Sequence, residues 1–581
     1  MVRRLLATGA LALALAGPAA ATPRTLWPGV TFDTGVQFTS NGPVAINILT
    51  GPRPGGTTTL APGLSNETLT GRESLTAIER RLAPTMTTAG LNGDFFTLES
   101  GLPSGVLMRE GQVLSPPSGY RASAGITTDG TLDVRRVSFF GTWQGSGATR
   151  TLNVLNKPLS SNGIALYTQA FGPETPPVAA ATAAVLFPFP AAIPNADLTA
   201  SVVEVRGGDA PVPIPAGGAV LVAAGTAAAA LTAEAPVGQL VSSRLLLKPD
   251  WPGIVSAIGG GPEIVRSGAA VFRSGEVFIP SQLTPRAPRS AVGQLADGRI
   301  IMVAVDGRQP GYSVGMTNFE LAQTLVRLGA VTAMALDGGG STTMAFDGTL
   351  LNRPSGAERP ISTALLFQYT GVFVQSAVAV VSPDGDGVAD RQSLRYKLVR
   401  PATTTVTLTA PDGTVAFTEI GERQPGSFGV PFPPSPTAPV GTPDPQPANG
   451  RWKLEVSAVD EVGQPSGMTQ SFIVNTTLGF LSTAPRKLFL PPHGRDLGIT
   501  WKQSRPARVV VTVETPAGEV VRTLAKRSYP IGRPAVIWNG LDRKRQAVKG
   551  GNYIVRVTAR NALGTIELTH KLRVQRIVGS R

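Results

Sequence analysis

The chain has 581 residues, only 15% of which are charged, and it is rich in Gly and Pro, with 67 and 51 residues respectively. This length predicts three or four domains, and the Gly and Pro content favours turns and short strands over long helices. The absence of Cys excludes disulfides, thiolate nucleophiles and Cys-ligated zinc. The only two His, His493 and His570, lie beyond residue 490, so chemistry earlier in the chain depends on other polar side chains.

The formal net charge is +14, but Lys and Arg are scattered, with modest clusters only over residues 522–533 and 543–549. A nucleic-acid-binding protein would interleave such clusters with aromatic residues, so no nucleic-acid partner is predicted. Two interpretations of the charge stay open. One is a generally basic, solvated surface, and the other is contact with an acidic glycan or envelope polymer.

The N-terminus has the pattern of a signal peptide. Arg3 and Arg4 precede an apolar run over residues 5–16, and small residues then fit a cleavage site near Ala21. The apolar run is short for a membrane span, and no later segment is long and apolar enough to cross a bilayer. We therefore expect an exported protein (periplasmic, cell-surface or secreted) without a transmembrane segment.

Residues 22–372 predict one large domain of the α/β (α+β) class. A helix is predicted over residues 75–82, where Ser74 can cap the first turn. A second helix is predicted over residues 318–328, where Thr317 and Glu320 form a capping box. Short strand-like runs dominate the rest, and the clearest cover residues 44–49, 126–133, 219–224, 300–305 and 331–336.

Two of these strands lead into an Asp that is followed by Gly. The strand over residues 300–305 precedes Asp306-Gly307-Arg308, and the strand over residues 331–336 precedes Asp337 and three glycines. If the two strands are parallel neighbours in one sheet, both aspartates emerge at the same edge. That edge is where α/β folds usually bind ligands.

The glycine run after Asp337 is the strongest of these signals. Three consecutive glycines cost conformational entropy that a plain turn does not require, and their amides can approach a ligand closely. Hydroxyl donors follow directly. The residues of this loop are Gly338, Gly339, Gly340, Ser341 and Thr342.

A second carboxylate stands in the motif Asn92-Gly93-Asp94, also after a run of apolar and small residues. Glycosyl hydrolysis typically needs two carboxylates, and Asn92 could hydrogen-bond a sugar hydroxyl. The alternative for each Asp is that it only caps a glycine turn.

Three arginines lie close in sequence to these motifs, namely Arg289, Arg308 and Arg359. Arginine suits bidentate binding of phosphate or carboxylate, and a surface charge or structural ion pair is the alternative for each. Another glycine cluster, which ends at Glu263, follows an apolar run over residues 254–258. We predict that it lines the site.

Beyond residue 373 the sequence changes to alternating β-branched residues and Pro- or Gly-rich turns. We predict two related Ig-like β-sandwiches, over residues 373–478 and 479–581. A long exposed loop is predicted over residues 425–447, because this stretch is dense in Pro and Gly.

Near the start of this region, three aspartates have a spacing that resembles part of a calcium loop. They are Asp384, Asp386 and Asp390. An Asx-rich turn at a domain boundary is the alternative, because a clear bidentate Glu is missing. Calcium is the only cofactor that the sequence suggests.

An ordered set of motifs resembles the phosphodiester glycosidase family, which includes the uncovering enzyme and relatives associated with bacterial exopolysaccharide. The resemblance covers about residues 28–370. One departure is Asp94, where relatives often have a second Gly. The motifs are Pro28-Gly29-Val30-Thr31-Phe32, Asn92-Gly93-Asp94-Phe95-Phe96, Ala257-Ile258-Gly259-Gly260-Gly261-Pro262, Pro288-Arg289-Ser290-Ala291-Val292-Gly293, Asp306-Gly307-Arg308, Leu336-Asp337-Gly338-Gly339-Gly340-Ser341-Thr342-Thr343-Met344 and Glu358-Arg359-Pro360-Ile361.

The resemblance implies a hydrolase that cleaves a sugar from a phosphodiester at its anomeric carbon, as in N-acetylglucosamine-1-phosphodiesters, or a related envelope linkage. We expect Arg289 and Arg308 to hold the phosphate and Asp337 to act at the anomeric centre. Asp306 or Glu263 would be the second carboxylate.

The last predicted sandwich resembles the Ig-like domain of the flagellar hook-capping protein, through residues 518–524, 538–540 and Tyr553. Such modules are spacers or attachment units, so no flagellar role is inferred. The alternative function is a non-catalytic surface protein that binds acidic glycan, with the sandwiches as spacers. A third interpretation is a structural envelope protein.

Overall fold

A computed structural model describes residues 23–271, 274–434, 446–490 and 496–576. The predicted signal peptide lies outside these residues. The fold is mostly β, with 52% strand and 7% helix. This helix content is lower than the α/β class predicted for residues 22–372 would imply. Within the described ranges, no helix is long and apolar enough to cross a membrane.

The chain divides into two compact units, Met1–Tyr369 and Thr370–Arg581. The α-helices described in the first unit are α1 (Leu75–Leu82), α2 (Thr226–Glu234), α3 (Pro280–Leu283) and α4 (Asn318–Arg327). Its strands are β1 (Arg24–Trp27), β2 (Val30–Thr39), β3 (Gly42–Gly51), β4 (Thr58–Leu64), β5 (Thr87–Asn92), β6 (Leu107–Arg109), β7 (Gln112–Ser115), β8 (Ala122–Thr127), β9 (Leu132–Arg136), β10 (Ser138–Gln144), β11 (Arg150–Leu152), β12 (Val154–Leu155), β13 (Gly163–Thr168), β14 (Ala181–Leu186), β15 (Asp197–Gly208), β16 (Ala219–Ala224), β17 (Leu240–Lys248), β18 (Ile254–Gly259), β19 (Glu263–Arg266), β20 (Ala269–Ala270), β21 (Arg289–Leu295), β22 (Ile300–Val305), β23 (Ala330–Ala335), β24 (Met344–Phe346), β25 (Thr349–Leu350) and β26 (Thr363–Tyr369).

These strands form several sheets. Two of them position the candidate site, the sheet β1-β2-β3-β22-β21-β23-β19-β20 and the sheet β25-β24-β5-β26-β4. The other two have the orders β11-β10-β17-β15-β14-β16-β13-β12 and β7-β6-β18-β8-β9.

Strands β22 and β23 were expected to be parallel neighbours, and this expectation is wrong in one respect. Strand β21 lies between them and pairs antiparallel with each. The two strands therefore run in the same direction without touching, and Asp306 and Asp337 still emerge at the same edge of the sheet. Arg289, opposite Val305 in the register, lies at that edge too.

Both predicted helices are confirmed, because their caps are local in sequence. Ser74 Oγ accepts a hydrogen bond from Ala77 N at the start of α1. Thr317 and Glu320 form the predicted capping box at the start of α4. Buried Leu321 and Leu325 of α4 belong to the core cluster that includes residues of β22 and β23, so this helix covers the sheet that carries the candidate site.

The predicted strand over residues 126–133 is wrong in its middle. Strand β8 ends at Thr127, and β9 begins only at Leu132. Gly130 between them has a φ of +79°, a left-handed conformation that favours glycine. This stretch is therefore a hairpin rather than one strand.

The second unit is built from strands in the described residues. They are β27 (Phe373–Val374), β28 (Val380–Val381), β29 (Leu394–Leu398), β30 (Ala402–Thr409), β31 (Val415–Arg423), β32 (Gly426–Val430), β33 (Gly450–Asp460), β34 (Pro465–Val474), β35 (Leu478–Ala484), β36 (Lys487–Leu490), β37 (Leu497–Gln503), β38 (Ala507–Glu514), β39 (Val520–Tyr529), β40 (Ala535–Trp538), β41 (Gly551–Asn561) and β42 (Gly564–Arg576).

These strands form a three-stranded and a five-stranded sheet twice in succession. The orders are β27-β29-β32 with β28-β34-β33-β30-β31, then β35-β37-β40 with β36-β42-β41-β38-β39. Strand β32 corrects the loop predicted over residues 425–447, and residues 435–445 lie outside the described part. The domain limits at 373–478 and 479–581, and the Ig-like and hook-cap-like identities, stay predictions.

Helix α1 buries a carboxyl group, that of Glu79, which has no solvent exposure. Its Oε2 accepts a hydrogen bond from Gly348 N at 2.7 Å, whereas Oε1 has no partner in the described part of the chain. Burial, together with the nearby charges of Asp347 and Glu358, raises the pKa of Glu79 well above its usual value.

We expect the first unit to lose stability as pH rises above about 4.3, the usual pKa of Glu. In that window the folded state holds a proton that the unfolded chain has released, and each unit of pKa rise corresponds to about 1.4 kcal/mol. Glu79→Gln should weaken this pH dependence and raise the unfolding temperature at pH 8, measured by scanning calorimetry. The control is Glu99→Gln at an exposed position; an equal gain there would show that burial of Glu79 is not the cause.

Candidate active site

The ends of β5 and β23, which belong to different sheets, meet at the buried side chain of Asn92. Its Nδ2 donates to the carbonyl oxygen of Asp337 at 2.6 Å. Its Oδ1 accepts from Ser290 Oγ at 2.6 Å and from Thr343 N at 3.3 Å. The Asp337 N–H donates to Gly93 O at 3.1 Å. Asn92 therefore joins the two sheets under the site, and its burial rules out the direct sugar contact predicted from the sequence.

Asp337 lies just beyond β23 with its side chain in a deep position. Burial raises its pKa to about 6, although a hydrogen bond from the Ser341 hydroxyl and the charges of Arg359 and Arg121 act in the opposite direction. A carboxyl group with this pKa is mostly ionised at pH 7 and titrates close to neutrality. This is the range in which an acid or base catalyst is most effective.

The glycine loop brings two guanidinium groups against the segment that carries Asp337. Gly339 has a φ of +63°, and a methyl group on it would lie 3.2 Å from Nη2 of Arg308. A methyl group on Gly340 would collide with the guanidinium of Arg359. Any larger residue would displace these cations. Both arginine side chains are exposed and can accept an anion from solvent.

Arg359 is positioned by its neighbours. Its Nη1 donates to Ser341 Oγ at 3.4 Å. The preceding residue, Glu358, accepts hydrogen bonds from Thr76 N at 2.9 Å and Thr76 Oγ1 at 2.7 Å. The start of helix α1 therefore anchors the segment on which Arg359 stands.

The other residues predicted in the loop are packed inside the protein. A methyl group on Gly338 would lie 2.9 Å from the carbonyl oxygen of Pro288. Ser341 and Thr342 are 0% and 1% exposed. The Ser341 hydroxyl donates a hydrogen bond to the Asp337 carboxyl group, whereas Thr342 Oγ1 has no hydrogen-bond partner among the residues described.

Sequence reasoning missed a third cation, Arg121. Its guanidinium carbon lies 4.8 Å from the ring centre of Phe95 and 4.6 Å from that of Phe278, so two cation–π contacts fix its position. Its charge lowers the pKa of both Asp94 and Asp337, which places it near both carboxyl groups. In the described ranges its guanidinium has no hydrogen-bond acceptor or carboxylate partner. The only signal in the sequence is indirect, the aromatic Phe95 beside Asp94.

Asp94 lies behind the site rather than in it. It is 3% exposed, and its two oxygens accept hydrogen bonds from Phe95 N at 2.8 Å and Gly105 N at 2.6 Å. Burial raises the pKa of Asp94 to about 7, which these hydrogen bonds and the Lys157 charge partly offset. Asp94 therefore holds the loop that carries Phe95, and through Phe95 it helps to position Arg121.

Arg289 does not present its donors to the site, which corrects its predicted role. It is 8% exposed, and its guanidinium donates to four backbone carbonyls. The acceptors are Met316 O at 3.0 Å, Gln282 O at 2.7 Å, Leu283 O at 3.4 Å and Pro285 O at 2.7 Å. Burial and the nearby Arg308 charge lower its pKa to about 10. Arg289 therefore fixes the loop before β21.

Asp306 is also a structural residue. It is 1% exposed, and its carboxylate accepts hydrogen bonds from four residues. They are Asn47 Nδ2 at 3.2 Å, Tyr312 OH at 3.0 Å, Asn352 Nδ2 at 2.8 Å and Arg353 N at 3.2 Å. Burial raises its pKa. Burial and these contacts keep Asp306 from a substrate at the surface, so the structure does not support its predicted role as second catalytic carboxylate.

Glu263 is likewise engaged elsewhere. Its carboxylate forms an ion pair with the exposed Arg266 of the same strand. Its N–H donates to Glu276 Oε1 at 2.7 Å, and the other oxygen of Glu276 accepts from Ala122 N at 2.6 Å. Through Glu276, the loop predicted to line the site is hydrogen-bonded to the segment next to Arg121. The carboxylate of Glu263 is occupied by Arg266 and is not part of the Asp337 site.

In the second unit, the three aspartates of the calcium-like motif come together. Ligand oxygens of Asp384, Asp386 and Asp390 lie within 4.8 Å of one another, and burial with the charge of Asp386 raises the pKa of Asp384 to about 6. Asp390 Oδ1 also accepts from Asp384 N at 3.0 Å and Gly385 N at 2.9 Å, as an Asx turn does. Calcium binding stays a prediction.

These environments predict opposite effects for two aspartates that share the Asp-Gly motif. Asp306→Ala leaves several buried donors unpaired, each worth about 1–3 kcal/mol, so we expect loss of roughly 3 kcal/mol or more and a lower unfolding temperature. Asp337→Asn removes a charge that burial disfavours, so stability should be kept or raised. Calorimetry at pH 7 measures both. Equal destabilisation by the two substitutions would contradict this assignment.

Part of this chain is similar to known proteins. Residues 194–368 match the phosphodiester glycosidase family model, and they include the glycine loop, Arg308 and Arg359. An uncharacterised SPbeta prophage-derived protein, YomE of Bacillus subtilis, is 28% identical over 171 residues, which are 27% of this chain and 26% of that protein. The bovine N-acetylglucosamine-1-phosphodiester alpha-N-acetylglucosaminidase is 37% identical over 67 residues, 12% of each chain.

Among solved structures, a hypothetical protein from Synechocystis is similar with a TM-score of 0.50 and 27% identity, over 59% of this chain and 62% of that one. The aligned stretches cover only 26% and 12% of the two curated relatives. The chain therefore matches these two relatives over only part of their length. Over residues 194–368, the chain is similar to the phosphodiester glycosidase family.

Proposed function

We propose that this protein is an exported hydrolase that cleaves a sugar from a phosphodiester at the anomeric carbon. Its substrates would be N-acetylglucosamine-1-phosphodiesters or related envelope or exopolysaccharide linkages. One observation carries the proposal: a carboxyl group with a pKa of about 6, Asp337, lies beside guanidinium groups that have no carboxylate partner in the described residues. These groups belong to Arg121, Arg308 and Arg359.

The charge of these groups suits a phosphodiester. Guanidinium binds phosphate oxygens through parallel N–H donors, and two of the three arginines are exposed at the site. As the glycosidic C–O bond breaks, negative charge collects on the departing phosphate. Fixed cations stabilise charge that develops in the transition state, so this cluster would favour bond cleavage as well as binding.

The same chemistry explains why one accessible carboxylate is enough. Glycosidases that expel an alcohol use a second carboxyl group to protonate the leaving oxygen. A phosphate monoester leaves as a stable anion and needs no such proton. Asp94 and Asp306 are both buried and hydrogen-bonded elsewhere, and in this proposal Asp337 alone acts at the anomeric carbon. It does so as a carboxylate, by attack or by activation of water.

Asp337→Asn is expected to abolish hydrolysis, because an amide can neither attack nor accept a proton. The assay is release of free sugar from a panel of sugar-1-phosphodiesters by the full chain. Because Asp337 must be ionised, wild-type kcat/KM should rise with pH and level off above about pH 7, with a midpoint near its pKa of about 6.

The matched control is Asp297→Asn, which removes an exposed carboxylate paired with Arg299. It should keep wild-type activity. Full activity in Asp337→Asn would refute the proposal. Saturable glycan binding without hydrolysis by the wild type, with and without divalent metal, would favour the non-catalytic interpretation.

Arg121→Gln, Arg308→Gln and Arg359→Gln are each expected to reduce kcat/KM by about 10- to 100-fold. This corresponds to loss of one charge-assisted hydrogen-bonding group, about 1.5–3 kcal/mol. Arg299→Gln is the control, since its guanidinium pairs with Asp297 in a surface turn. Steady-state kinetics in which all four variants match the wild type would contradict phosphate binding by the cluster.

A further inference from the structure

The net positive charge of this protein comes from its last part. Residues 479–581 contain 20 Lys and Arg but only 5 Asp and Glu, a net charge of +15, whereas the whole chain has +14. The preceding residues are therefore almost neutral. A charge excess this localised marks an electrostatic interaction surface, and it is separate in sequence from the proposed active site.

Within this region, five cations line two adjoining surface cavities of about 630 and 480 Å³, which share Asn552 and Arg573. We call these cations the cationic groove. They are Arg486, Lys487, Lys571, Arg573 and Arg576. No acidic side chain lines either cavity, and in the described ranges the five have no ion-pair partner.

The strand register places like charges side by side in this groove. Lys487 of β36 lies opposite Arg573 of β42, and Lys571 is two residues before Arg573 on the same outward face. Like charges directly opposite each other destabilise a sheet. The arrangement is therefore unfavourable to the isolated fold and would be relieved by a bound anion.

The neighbouring Arg556 shows the contrast. It also points outward from this sheet, on β41, but it pairs with Glu514 at 2.9 Å and with Glu567. Where a cation of this face belongs to the internal structure, carboxylates neutralise it. In the described ranges, the groove cations have no carboxylate partner.

We propose that the cationic groove binds an extended anionic polysaccharide that carries phosphate or carboxylate groups. The groove cations are spaced on the order of 5 Å across the strands and 7 Å along them, so successive charges of one polymer can meet successive side chains. The amides of Asn552 and Gln575, which line the same cavities, suit sugar hydroxyls. The lining includes one exposed aromatic side chain, Phe489, whereas single-stranded nucleic acids are bound through series of stacked aromatics.

The test measures binding of the full chain to immobilised polymers over a range of NaCl concentrations. The probes are poly(glycerol phosphate) teichoic acid, polygalacturonate, neutral dextran and a single-stranded DNA 20-mer. The groove variant is K487Q/K571Q/R573Q. The control is R543Q/K544Q/R545Q, which removes the same charge from an exposed turn of the same region.

We expect the groove variant to bind anionic polysaccharide at least about tenfold more weakly at 0.1 M salt. The slope of log affinity against log salt should also fall by about 2–3, one for each lost contact. The control should change affinity less than about twofold. The teichoic acid and polygalacturonate arms show whether phosphate or carboxylate is preferred, and dextran should not bind.

Equal losses in both variants would overturn the proposal in favour of diffuse charge. If DNA binds as tightly as the anionic polysaccharides and depends equally on the groove, the choice of polysaccharide as ligand is overturned. If no probe binds, the proposal that the groove is a binding site is overturned as well. The inference does not depend on the proposed hydrolysis. Cleavage of a small soluble sugar-1-phosphodiester should be the same in the groove variant and the wild type. An unchanged circular dichroism spectrum and unfolding temperature verify that the variant is folded.

Discussion

The candidate site depends on one buried amide. The side chain of Asn92 joins the end of β5 to the backbone of Asp337 and to Ser290 of β21, and these three residues come from two different sheets. A buried amide without partners would be costly, so the hydrogen bonds fix how the sheets meet. The glycine loop begins at this junction, and the position of the Asp337 carboxyl group follows from it.

Burial and charge act in opposite directions on that carboxyl group. Removal from water favours the neutral form of Asp337, whereas Arg359 and Arg121 favour the ionised form. The balance leaves the pKa near 6, between the value of a solvated Asp and that of a fully buried one. Gly340 contributes to this balance, because it has no side chain to keep the Arg359 guanidinium away. The loop is therefore rich in glycine for an electrostatic reason as well as a conformational one.

Local signals in the sequence predicted local structure well. The caps at Ser74 and Thr317 correctly predicted the starts of α1 and α4. The apolar runs before Asp306 and Asp337 are strands, as predicted. The roles of the polar residues depend on distant contacts, and there the sequence was insufficient. Asp306 and Asp337 share an Asp-Gly motif, but only Asp306 is covered by Asn352 and its neighbours. The sequence around Arg289 suggests a phosphate ligand, but its backbone carbonyl acceptors become visible only in the structure. Arg121 is positioned by two aromatic rings that are far apart in sequence.

The same difference between paired and unpaired cations occurs in both units. A cation that has a structural task in this protein has its acceptors inside the fold, as Arg289 has its carbonyls and Arg556 its carboxylates. The cations at the proposed active site and in the cationic groove lack such partners in the described residues. An unpaired guanidinium on a preformed surface gains from an anionic ligand without first losing an internal ion pair. For this reason the absence of carboxylates around a cation is a better guide to candidate ligand-binding arginines than the number of arginines in the sequence.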